Sequence, residues 1–378
     1  MPENGPLKIY MIAGEASGDL HGANLMKALR AARPDIDFRF WGGDLMQGVA
    51  GKPVKHIREL AFMGFVEVVM NLKTILSNIK VCKADILAYK PDAIVLIDYP
   101  GFNLRIAEWA KAQGIPVYYY ISPQVWAWKQ NRVHKIKRTV DHMFVILPFE
   151  REFYAKFGFP VEYVGHPLLD AITQYRETTF SAVAFRDKWK LGNKPVIAVL
   201  PGSRKQEVRV KLPIMLDAVK DLDDYEIIIA GAPSLDKSFY TPMLQGRNAQ
   251  IIHGATYDIL GTAEAAIVTS GTATLETALL NVPEVVCYKA SPISYAIAKR
   301  LIKIRFISLV NLIMDREVVK ELIQHECNPQ QIRAELSLIL EGGAKREKML
   351  EDYESLKKIL GGGGASDKVA QSLLKTIQ

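Results

Sequence analysis

Short apolar runs alternate with longer segments of helical periodicity along most of the chain. Leu7–Ala13, Ala93–Ile97 and Val196–Leu200 are apolar almost throughout, as is typical of strands covered on both faces of a parallel sheet. Each run is followed by a polar loop and then by a segment in which apolar residues recur at helical spacing. The repetition of strand, loop and helix predicts an α/β protein with parallel sheets.

This alternation lapses near the middle of the chain and then resumes, which indicates two domains. We expect residues 1–168 to form one Rossmann-like domain and residues 169–350 to form a second. The two parallel-sheet domains are expected to face a cleft. Residues 351–378 are expected to form C-terminal helices around the glycines Gly361–Gly364 and to pack back across the domains.

The composition excludes several classes of protein. A hydrophobic fraction of 49% with 24% charged residues excludes a disordered or collagen-like chain. The cysteines Cys82, Cys287 and Cys327 form no CxxC pair, so we expect neither a disulfide framework nor structural zinc. No apolar run is long enough to span a bilayer, and the N-terminal residues do not match a secretory signal. We therefore expect a cytoplasmic protein, soluble or peripherally bound to the inner face of the membrane.

The net charge is +7, and many of the basic residues are clustered. Trp126–Val140 and Lys289–Met314 each contain five Lys or Arg residues and no acidic residue. Such clusters attract nucleic acid, anionic lipid or phosphorylated substrates, but a solvated helix face explains each of them equally well. No recognition-helix, RRM, KH or zinc pattern is present, which disfavours a nucleic-acid-binding protein.

The polar loops that follow the apolar runs are the expected places for chemistry, because ligands of open parallel sheets bind beyond the carboxyl ends of the strands. Asp98 directly follows Ala93–Ile97. Apolar surroundings raise the proton affinity of such a carboxylate and make it a candidate general base. An equally weighted alternative is that it caps the next helix. The loop with Glu15, Ser17 and Asp19 lacks a P-loop lysine and fits either a hydroxyl-binding site or a capped helix start.

Two loops of the second half have the features of anion sites at helix N-termini. The first contains Ser203 and Arg204, whose planar guanidinium suits a diphosphate. The second supplies hydroxyls, backbone N–H groups and a carboxylate for a ribose diol. Its candidate ligands are Ser270, Gly271, Thr272, Thr274 and Glu276. The two loops lack the third glycine and the later acidic residue of a dinucleotide site, which favours a sugar nucleotide as the ligand. The alternative for the second loop is that it simply begins a helix and binds no ligand.

An apolar segment, residues 61–72, carries bulky side chains on more than one helical face. It is either a buried helix or a surface that meets lipid acyl chains. The tryptophans beside the first basic cluster favour a membrane interface as well. The side chains expected to face lipid are Phe62, Met63, Phe65, Trp126, Trp128 and Arg132.

Together these motifs resemble the lipid A disaccharide synthases, which are inverting glycosyltransferases built from two Rossmann-like domains (the GT-B type). The resemblance covers nearly the whole chain. The segments that carry it are Ala13–Asp19, Leu60–Val68, Ile97–Asn103, Tyr120–Trp128, Leu200–Arg204, Ser270–Glu276, Ser308–Leu312 and Arg316–Leu322. The tryptophan loop (Tyr120–Trp128) and the segment from Asn311 to Leu322 are specific to the family, whereas other GT-B enzymes share the anion loops.

The resemblance implies a reaction between two acylated sugars. 2,3-Diacylglucosamine would pass from its UDP donor to 2,3-diacylglucosamine 1-phosphate, giving a β-1,6-linked disaccharide 1-phosphate and UDP, with Asp98 as the general base. The resemblance also implies a homodimer with exchanged C-terminal segments, in which Asn311 and Arg316 reach the partner's donor site. The residues implied near the acceptor are Glu15, Ser17, Asp19, Ser122, Gln124 and His166. No metal or cofactor is expected, because UDP arrives with the donor.

Two positions depart from the family pattern. Gly101 stands where the family often has a second acid, which leaves Asp98 as the only acid of its turn, and Val310 stands where proline is frequent. The enzymatic alternatives are another GT-B transferase acting on a lipid acceptor and a UDP-N-acetylglucosamine 2-epimerase. A non-catalytic nucleotide-sugar-binding protein is a further alternative, although it would not need a carboxylate at Asp98.

Overall fold

The computed structural model describes residues 5–60, 72–178, 180–244, 246–291, 295–296, 299–300 and 304–377. Phe62, Met63 and Phe65, which were expected to face lipid, lie outside the described residues. Among the residues that are described, no helix combines the length and the apolar character needed to cross a membrane.

The chain forms two compact units. The first comprises Met1–Pro167 together with Gly362–Gln378, and the second comprises Leu168–Gly361. Each unit contains one parallel sheet flanked by helices. The predicted α/β class with two Rossmann-like sheets is thereby confirmed.

The first unit is built on a seven-stranded sheet. Its strands are β1 (Leu7–Ala13), β2 (Ile36–Gly42), β3 (Lys55–His56), β4 (Ala93–Ile97), β5 (Val117–Tyr120), β6 (His142–Val145) and β7 (Glu162–Tyr163). Their order is β3-β2-β1-β4-β5-β6-β7. The α-helices of this unit are Ala16–Ala32, Asp44–Ala50, Leu72–Tyr89, Pro100–Ala112, Val133–Thr139, Glu150–Ala155 and Ala365–Thr376. The strand order reverses between β1 and β4, which is the point where ligands of such sheets bind.

Alternate residues of β1 enter separate cores on the two faces of the sheet. Ile9 and Met11 belong to one buried cluster, and Tyr10 and Ile12 belong to the other. All five residues of β4 are buried as well. Because successive side chains of a strand point to opposite faces, covering both faces requires the continuous apolar runs seen in the sequence.

The last helix, Ala365–Thr376, belongs to the first unit although it lies at the end of the chain. It packs against the helix Ala16–Ala32, and Val369 and Leu373 are fully buried in the contact. The Tyr118 hydroxyl also hydrogen-bonds the Thr376 hydroxyl at 3.0 Å. These contacts anchor the chain end to the first sheet.

The glycine run divides residues 351–378 between the two units. The helix Arg346–Leu360 remains in the second unit, and only the residues from Gly362 onwards join the first. Gly361 and Gly364 adopt φ values of 75° and 80°. Because glycine occupies this left-handed region without steric cost, the glycine run lets the chain leave one unit and enter the other.

The second unit repeats the plan with six strands. They are β8 (Val196–Leu200), β9 (Glu226–Gly231), β10 (Gln250–His253), β11 (Ala263–Thr269), β12 (Glu284–Tyr288) and β13 (Lys320–Ile323). The order is β10-β9-β8-β11-β12-β13, and it reverses between β8 and β11. The α-helices are Pro167–Thr178, Ala182–Trp189, Lys205–Val219, Lys237–Leu244, Thr256–Thr262, Thr272–Leu279, Leu309–Met314, Pro329–Ser337 and Arg346–Leu360.

Candidate active site

Asp98 lies in a strained turn at the carboxyl end of β4. Asp98 and Tyr99 have φ values of 44° and 48°, a left-handed conformation that side-chain-bearing residues rarely adopt. The turn is held in place through the Asp98 carbonyl, which accepts hydrogen bonds from the Tyr119 hydroxyl at 2.6 Å and from Asn103 Nδ2 at 2.8 Å. The fold therefore fixes the position of the Asp98 carboxyl through its backbone.

The surroundings of Asp98 make its carboxyl a better base than an ordinary aspartate. Burial, with a further contribution from the negative charge of Glu15, raises the pKa of Asp98 to about 6, against the opposing effect of the Tyr99 N–H. The following helix has Tyr99 as its N-cap and shows no side-chain cap, so Asp98 does not serve as the cap. A carboxylate of this pKa accepts protons efficiently near neutral pH.

The loop after β1 lies directly against this turn. A Cβ atom on Gly14 would lie 2.3 Å from the Tyr99 ring, so only glycine allows the two loops to approach so closely. Glu15 is the exposed N-cap residue of the next helix and makes no side-chain cap hydrogen bond. Ser17 is exposed in the first turn of that helix. The side chains of Glu15 and Ser17 are thus exposed at the start of this helix.

Asp19 has a structural role instead of the expected acceptor contact. Its carboxylate is buried and accepts hydrogen bonds from the backbone N–H groups of Gly43 at 2.7 Å, Leu45 at 3.0 Å and Met46 at 3.0 Å. These groups lie at the start of the helix Asp44–Ala50, whose first N–H groups lack partners within the helix. The carboxylate therefore anchors this helix and is not available to a substrate.

The tryptophan loop is divided between buried and exposed residues. Ser122 is buried and shares a 2.7 Å hydrogen bond with the Tyr154 hydroxyl, whereas Gln124 is exposed. Trp126 is buried edge-on against Phe149, with ring centroids 4.9 Å apart. The expectation that Trp126 faces lipid is therefore wrong, because its ring fills the interior of the first unit.

Trp128 differs from Trp126 in being exposed, with 40% of its surface accessible. Lys129 Nζ lies 4.5 Å from the Trp128 ring centroid and Arg132 Cζ lies 5.6 Å from it. These distances are within the range of cation–π contacts. An exposed indole flanked by two cations thus remains on the surface of the loop.

His166 lies near a second histidine, His21, which the sequence analysis missed. Burial lowers the pKa of His21 to about 4, and burial together with the nearby His21 lowers the pKa of His166 to about 3. The His21 ring also meets the Tyr120 ring edge-on at 6.3 Å. Both imidazoles are therefore neutral at physiological pH and offer hydrogen bonds instead of charge.

The second unit has a cavity of about 350 Å³ at the carboxyl edge of its sheet. The predicted anion loops form much of its wall, through Ser203 and the segment Ser270–Ala273, together with Glu276. A neighbouring cavity of about 410 Å³ shares Thr256 and Glu276 with it. The structure therefore brings most of the predicted donor-side residues to one place.

Two glycines shape the backbone around this cavity. Gly202 has a φ of 111°, and a Cβ atom there would lie 2.6 Å from Glu207 Oε2. Gly271 has a φ of 150° and precedes the helix Thr272–Leu279, which leaves the first N–H groups of that helix open to the cavity. Arg204, in the other anion loop, is the exposed N-cap residue of the helix Lys205–Val219. It is not one of the residues that line the cavity, and its guanidinium lies 3.8 Å from Glu207 Oε1.

Glu276 is held by Tyr257, a residue that no motif in the sequence indicated. The Tyr257 hydroxyl donates a 2.8 Å hydrogen bond to Glu276 Oε1. Burial raises the pKa of Glu276, and the bond from Tyr257 opposes that rise. Glu276 lines both cavities, and the bond from Tyr257 fixes one of its two carboxyl oxygens.

Thr269 is a second residue that the sequence analysis missed. It ends β11 and lines the cavity, and its buried hydroxyl has no hydrogen-bond partner. A threonine at the end of an apolar run was the only available signal, and it is easily taken for an ordinary strand residue. Thr269 thus leaves one polar group unpaired in the wall of the cavity.

Some predicted donor-side residues make internal contacts instead. Thr274 is fully buried, and its hydroxyl donates to the Gly271 carbonyl at 2.8 Å, which corrects its assignment as a ligand. The Ser270 hydroxyl donates to the Ile307 carbonyl at 2.9 Å. The Thr274 bond is of the local kind that small hydroxyl residues often make near a helix start, whereas the Ser270 bond ties the loop to a distant segment. Both bonds stabilise the loop that carries the open N–H groups.

Asn311 and Arg316 lie outside the residues that line the cavity. Asn311 is fully buried, its amide donates to the Val319 carbonyl and to Glu321, and its oxygen accepts two backbone N–H bonds. It therefore has no group left for a nucleotide, which corrects its assignment as a donor ligand. Arg316 donates to Asp352 Oδ2 at 2.7 Å.

Within the described ranges, no group of three or more His, Cys, Asp or Glu side chains is arranged as a metal ligand set. The buried cysteines Cys82, Cys287 and Cys327 are free thiols.

Comparisons with known proteins identify close sequence relatives. A family model described as lipid-A-disaccharide synthetase matches residues 9–373. The chain is 39% identical to a lipid-A-disaccharide synthase of Myxococcus xanthus (strain DK1622), over 98% of each protein. It is 41% identical to a lipid-A-disaccharide synthase of Syntrophus aciditrophicus (strain SB), again over 98% of each.

Solved structures with the same fold are much more distant in sequence. A UDP-GlcNAc 2-epimerase from Neisseria meningitidis bound to UDP-GlcNAc superposes with a TM-score of 0.70 at 14% identity, covering 98% of this chain and 100% of that one. The glycotransferase of kitacinnamycin superposes with a TM-score of 0.68 at 13% identity, covering 99% and 100%. At this identity the similarity concerns the fold alone.

Proposed function

The chain belongs to the lipid-A-disaccharide synthetase family and is a glycosyltransferase, and we propose that it joins two acylated glucosamines. In this reaction 2,3-diacylglucosamine passes from UDP-2,3-diacylglucosamine to 2,3-diacylglucosamine 1-phosphate. The products are a β-1,6-linked disaccharide 1-phosphate and UDP, with inversion at the anomeric carbon. We propose that the reaction needs no metal or cofactor, because UDP arrives with the donor.

The observation that carries this proposal is the Asp98 carboxyl on its rigid turn. Its pKa of about 6 matches a group that must take a proton from the acceptor 6-hydroxyl near neutral pH. As that proton leaves, the hydroxyl oxygen attacks the anomeric carbon and the bond to the UDP oxygen breaks. Glu15, next to the turn, raises the proton affinity of Asp98 and is near enough to contact the acceptor.

On the donor side, the residues at the 350 Å³ cavity of the second unit suit the leaving diphosphate. Open N–H groups at the start of the helix Thr272–Leu279 stabilise negative charge that grows on the diphosphate oxygens. The exposed Arg204 of the other anion loop supplies a guanidinium for the same charge. Glu276, fixed by Tyr257, binds the ribose diol. The Thr269 hydroxyl provides a further polar contact.

Both proposed substrates carry acyl chains and are held in a membrane, so the enzyme must work at a membrane surface. We propose peripheral binding to the inner face of the inner membrane through the tryptophan loop. Trp128, flanked by Lys129 and Arg132, has the amphipathic and cationic character that suits an anionic lipid interface. A homodimer with exchanged C-terminal segments stays a prediction.

The decisive experiment measures UDP release from the two acylated substrates. The native chain is compared with Asp98→Asn and with a control, Asp92→Asn, whose exposed residue lies at the opposite end of β4. We expect turnover to fall at least about 100-fold in Asp98→Asn with unchanged UDP affinity, and to be retained in the control. Native turnover without this loss would reject Asp98 as the base. Absence of native turnover would reject the substrates.

A further inference from the structure

Tyr175 lies against the residue that holds Glu276. Its hydroxyl donates a hydrogen bond to Asp258, in the first turn of the helix Thr256–Thr262. Its ring meets the Tyr257 ring edge-on, with ring centroids 5.3 Å apart, and Tyr257 in turn donates to Glu276. All four of these side chains line the cavity of about 410 Å³. A continuous set of contacts therefore connects Tyr175 to the carboxylate of the donor site.

The two tyrosine hydroxyls act only as donors to carboxylates in these contacts. Burial, with a further contribution from Asp258, raises the pKa of Tyr175 above its usual range. Burial and the charge of Glu276 raise the pKa of Tyr257 in the same way. Both phenols therefore stay protonated near neutral pH, and each donates its single O–H. Hydrogen bonds of this kind to an ionised acceptor are short and strong, so they fix the rings that carry them.

The start of the helix Thr256–Thr262 depends on Tyr175 for its position. The N-cap residue of this helix, Ala255, makes no side-chain cap hydrogen bond. The bond from Tyr175, on the helix Pro167–Thr178, therefore holds the first turn from a separate helix. The Tyr175 ring also packs against Phe180, with ring centroids 5.7 Å apart. Packing and a strong hydrogen bond together give the ring a defined place.

We propose that Tyr175 is a positioning residue, which acts on Glu276 through Tyr257 and so sets the preference of the donor site for ribose over 2′-deoxyribose. This role rests on the proposed function, in which the Glu276 carboxylate binds the ribose diol. Glu276 is only partly buried, so a ligand can reach it. A carboxylate accepts both hydroxyls of a diol with good geometry only in a narrow range of orientations. Loosening the Tyr257 ring therefore weakens the contact with the diol and leaves the contacts with the diphosphate in place.

The test compares the affinities of UDP and 2′-deoxy-UDP by calorimetric titration. The proteins are the native chain, Tyr175→Phe, Tyr257→Phe and the double variant. We expect the native chain to bind UDP at least about tenfold more tightly than 2′-deoxy-UDP, because the deoxy sugar leaves a polar group of the site unpaired. Tyr175→Phe should lower the affinity for UDP about fivefold and leave that for 2′-deoxy-UDP within about twofold. The double variant should bind UDP as Tyr257→Phe does, because Tyr175 acts through Tyr257.

A purely structural role of Tyr175 gives a different result. It would weaken the binding of both nucleotides equally, or the losses would add in the double variant, and either outcome would overturn the inference. Asp258→Ala breaks the same hydrogen bond from the acceptor side and should reproduce the loss of selectivity even if Tyr175→Phe folds poorly. Unchanged selectivity in Asp258→Ala or in a folded Tyr175→Phe would also overturn it.

Tyr225→Phe is the matched control, since Tyr225 directly precedes β9 at the opposite, amino-terminal edge of the same sheet. We expect it to leave both affinities unchanged, and thermal unfolding checks the fold of every variant. The native chain tests the proposed function separately. Equal binding of the two nucleotides by the native chain would reject Glu276 as the ribose ligand, and absence of UDP binding would reject the donor site; either result removes the role of Tyr175 as well.

Discussion

The backbone of Gly14, in the loop after β1, packs directly against the ring of Tyr99, in the turn after β4. A side chain as small as a methyl group on Gly14 would overlap the Tyr99 ring, because its Cβ would lie 2.3 Å from that ring. Tyr99 in turn follows Asp98 in the left-handed turn and stacks on Phe102, with ring centroids 5.7 Å apart. The position of the proposed base therefore depends on a glycine from a different strand loop.

We expect Gly14→Ala to displace the Tyr99 ring and with it the Asp98 carboxyl, lowering kcat at least about 10-fold. UDP affinity should be unchanged, because the donor residues lie in the second unit. Gly101→Ala is the matched control, since a Cβ there meets no atom within 4 Å. Steady-state kinetics and UDP titration check both variants, and equal kcat values for the two variants would contradict this coupling.

The pH profile should report Asp98 directly. Burial and the charge of Glu15 raise the pKa of Asp98 to about 6, so kcat/KM should fall as the pH drops through that value and the base becomes protonated. Glu15→Gln removes the like charge, which lowers the pKa of Asp98 and moves this acidic limb to lower pH. The pH dependence of kcat/KM for both chains checks this, and an acidic limb that stays in place would reject the contribution of Glu15.

The sequence was sufficient where a residue's role follows from its place on a strand. Asp98 ends a continuous apolar run, so both its position at the sheet edge and its partial burial could be predicted. Asp19 shows the limit, because the N–H groups that its carboxylate binds belong to a distant part of the chain, beginning at Gly43. No local pattern distinguishes a carboxylate that faces a substrate from one that anchors another helix.

The same limit applies to side chains whose exposure depends on tertiary packing. Trp126 and Trp128 are two positions apart in one aromatic and basic loop, yet the first is buried against Phe149 and the second is exposed. Thr269 and Thr274 are a second such pair, in which the sequence pointed to the wrong residue as a ligand. The residue that was selected bonds its own loop, whereas the one that was overlooked has an unpaired hydroxyl at the cavity.

Replacing Asp19 should affect stability more than chemistry. Asp19→Ala leaves three backbone N–H groups of Gly43, Leu45 and Met46 without their acceptor. We expect the free energy of unfolding of the first unit to fall by about 2–4 kcal/mol, as measured by urea denaturation. Ser17→Ala, two residues earlier in the same turn and exposed, should leave it within about 0.5 kcal/mol. Equal stability of the two variants would refute the anchoring role.

The two threonines of the second unit should behave in opposite ways. Thr269→Val removes a hydroxyl with no partner in the protein, so stability should be retained while UDP affinity falls by about fivefold, equivalent to roughly 1 kcal/mol. Thr274→Val breaks the bond to the Gly271 carbonyl and should lower the free energy of unfolding by about 1 kcal/mol. Calorimetric titration with UDP and chemical denaturation separate the two effects. Unchanged UDP affinity in Thr269→Val would remove this residue from the donor site.

Trp128 offers the sharpest test of the proposed membrane contact. We expect Trp128→Ala to weaken binding to vesicles that contain anionic lipid, because it removes the exposed indole between Lys129 and Arg132. The matched control is Leu87→Ala, which removes another exposed apolar side chain of the first unit. Co-sedimentation at low and high salt measures both variants. Salt should weaken native binding through the two cations, and equal losses in the two variants would show that the tryptophan loop is not the contact.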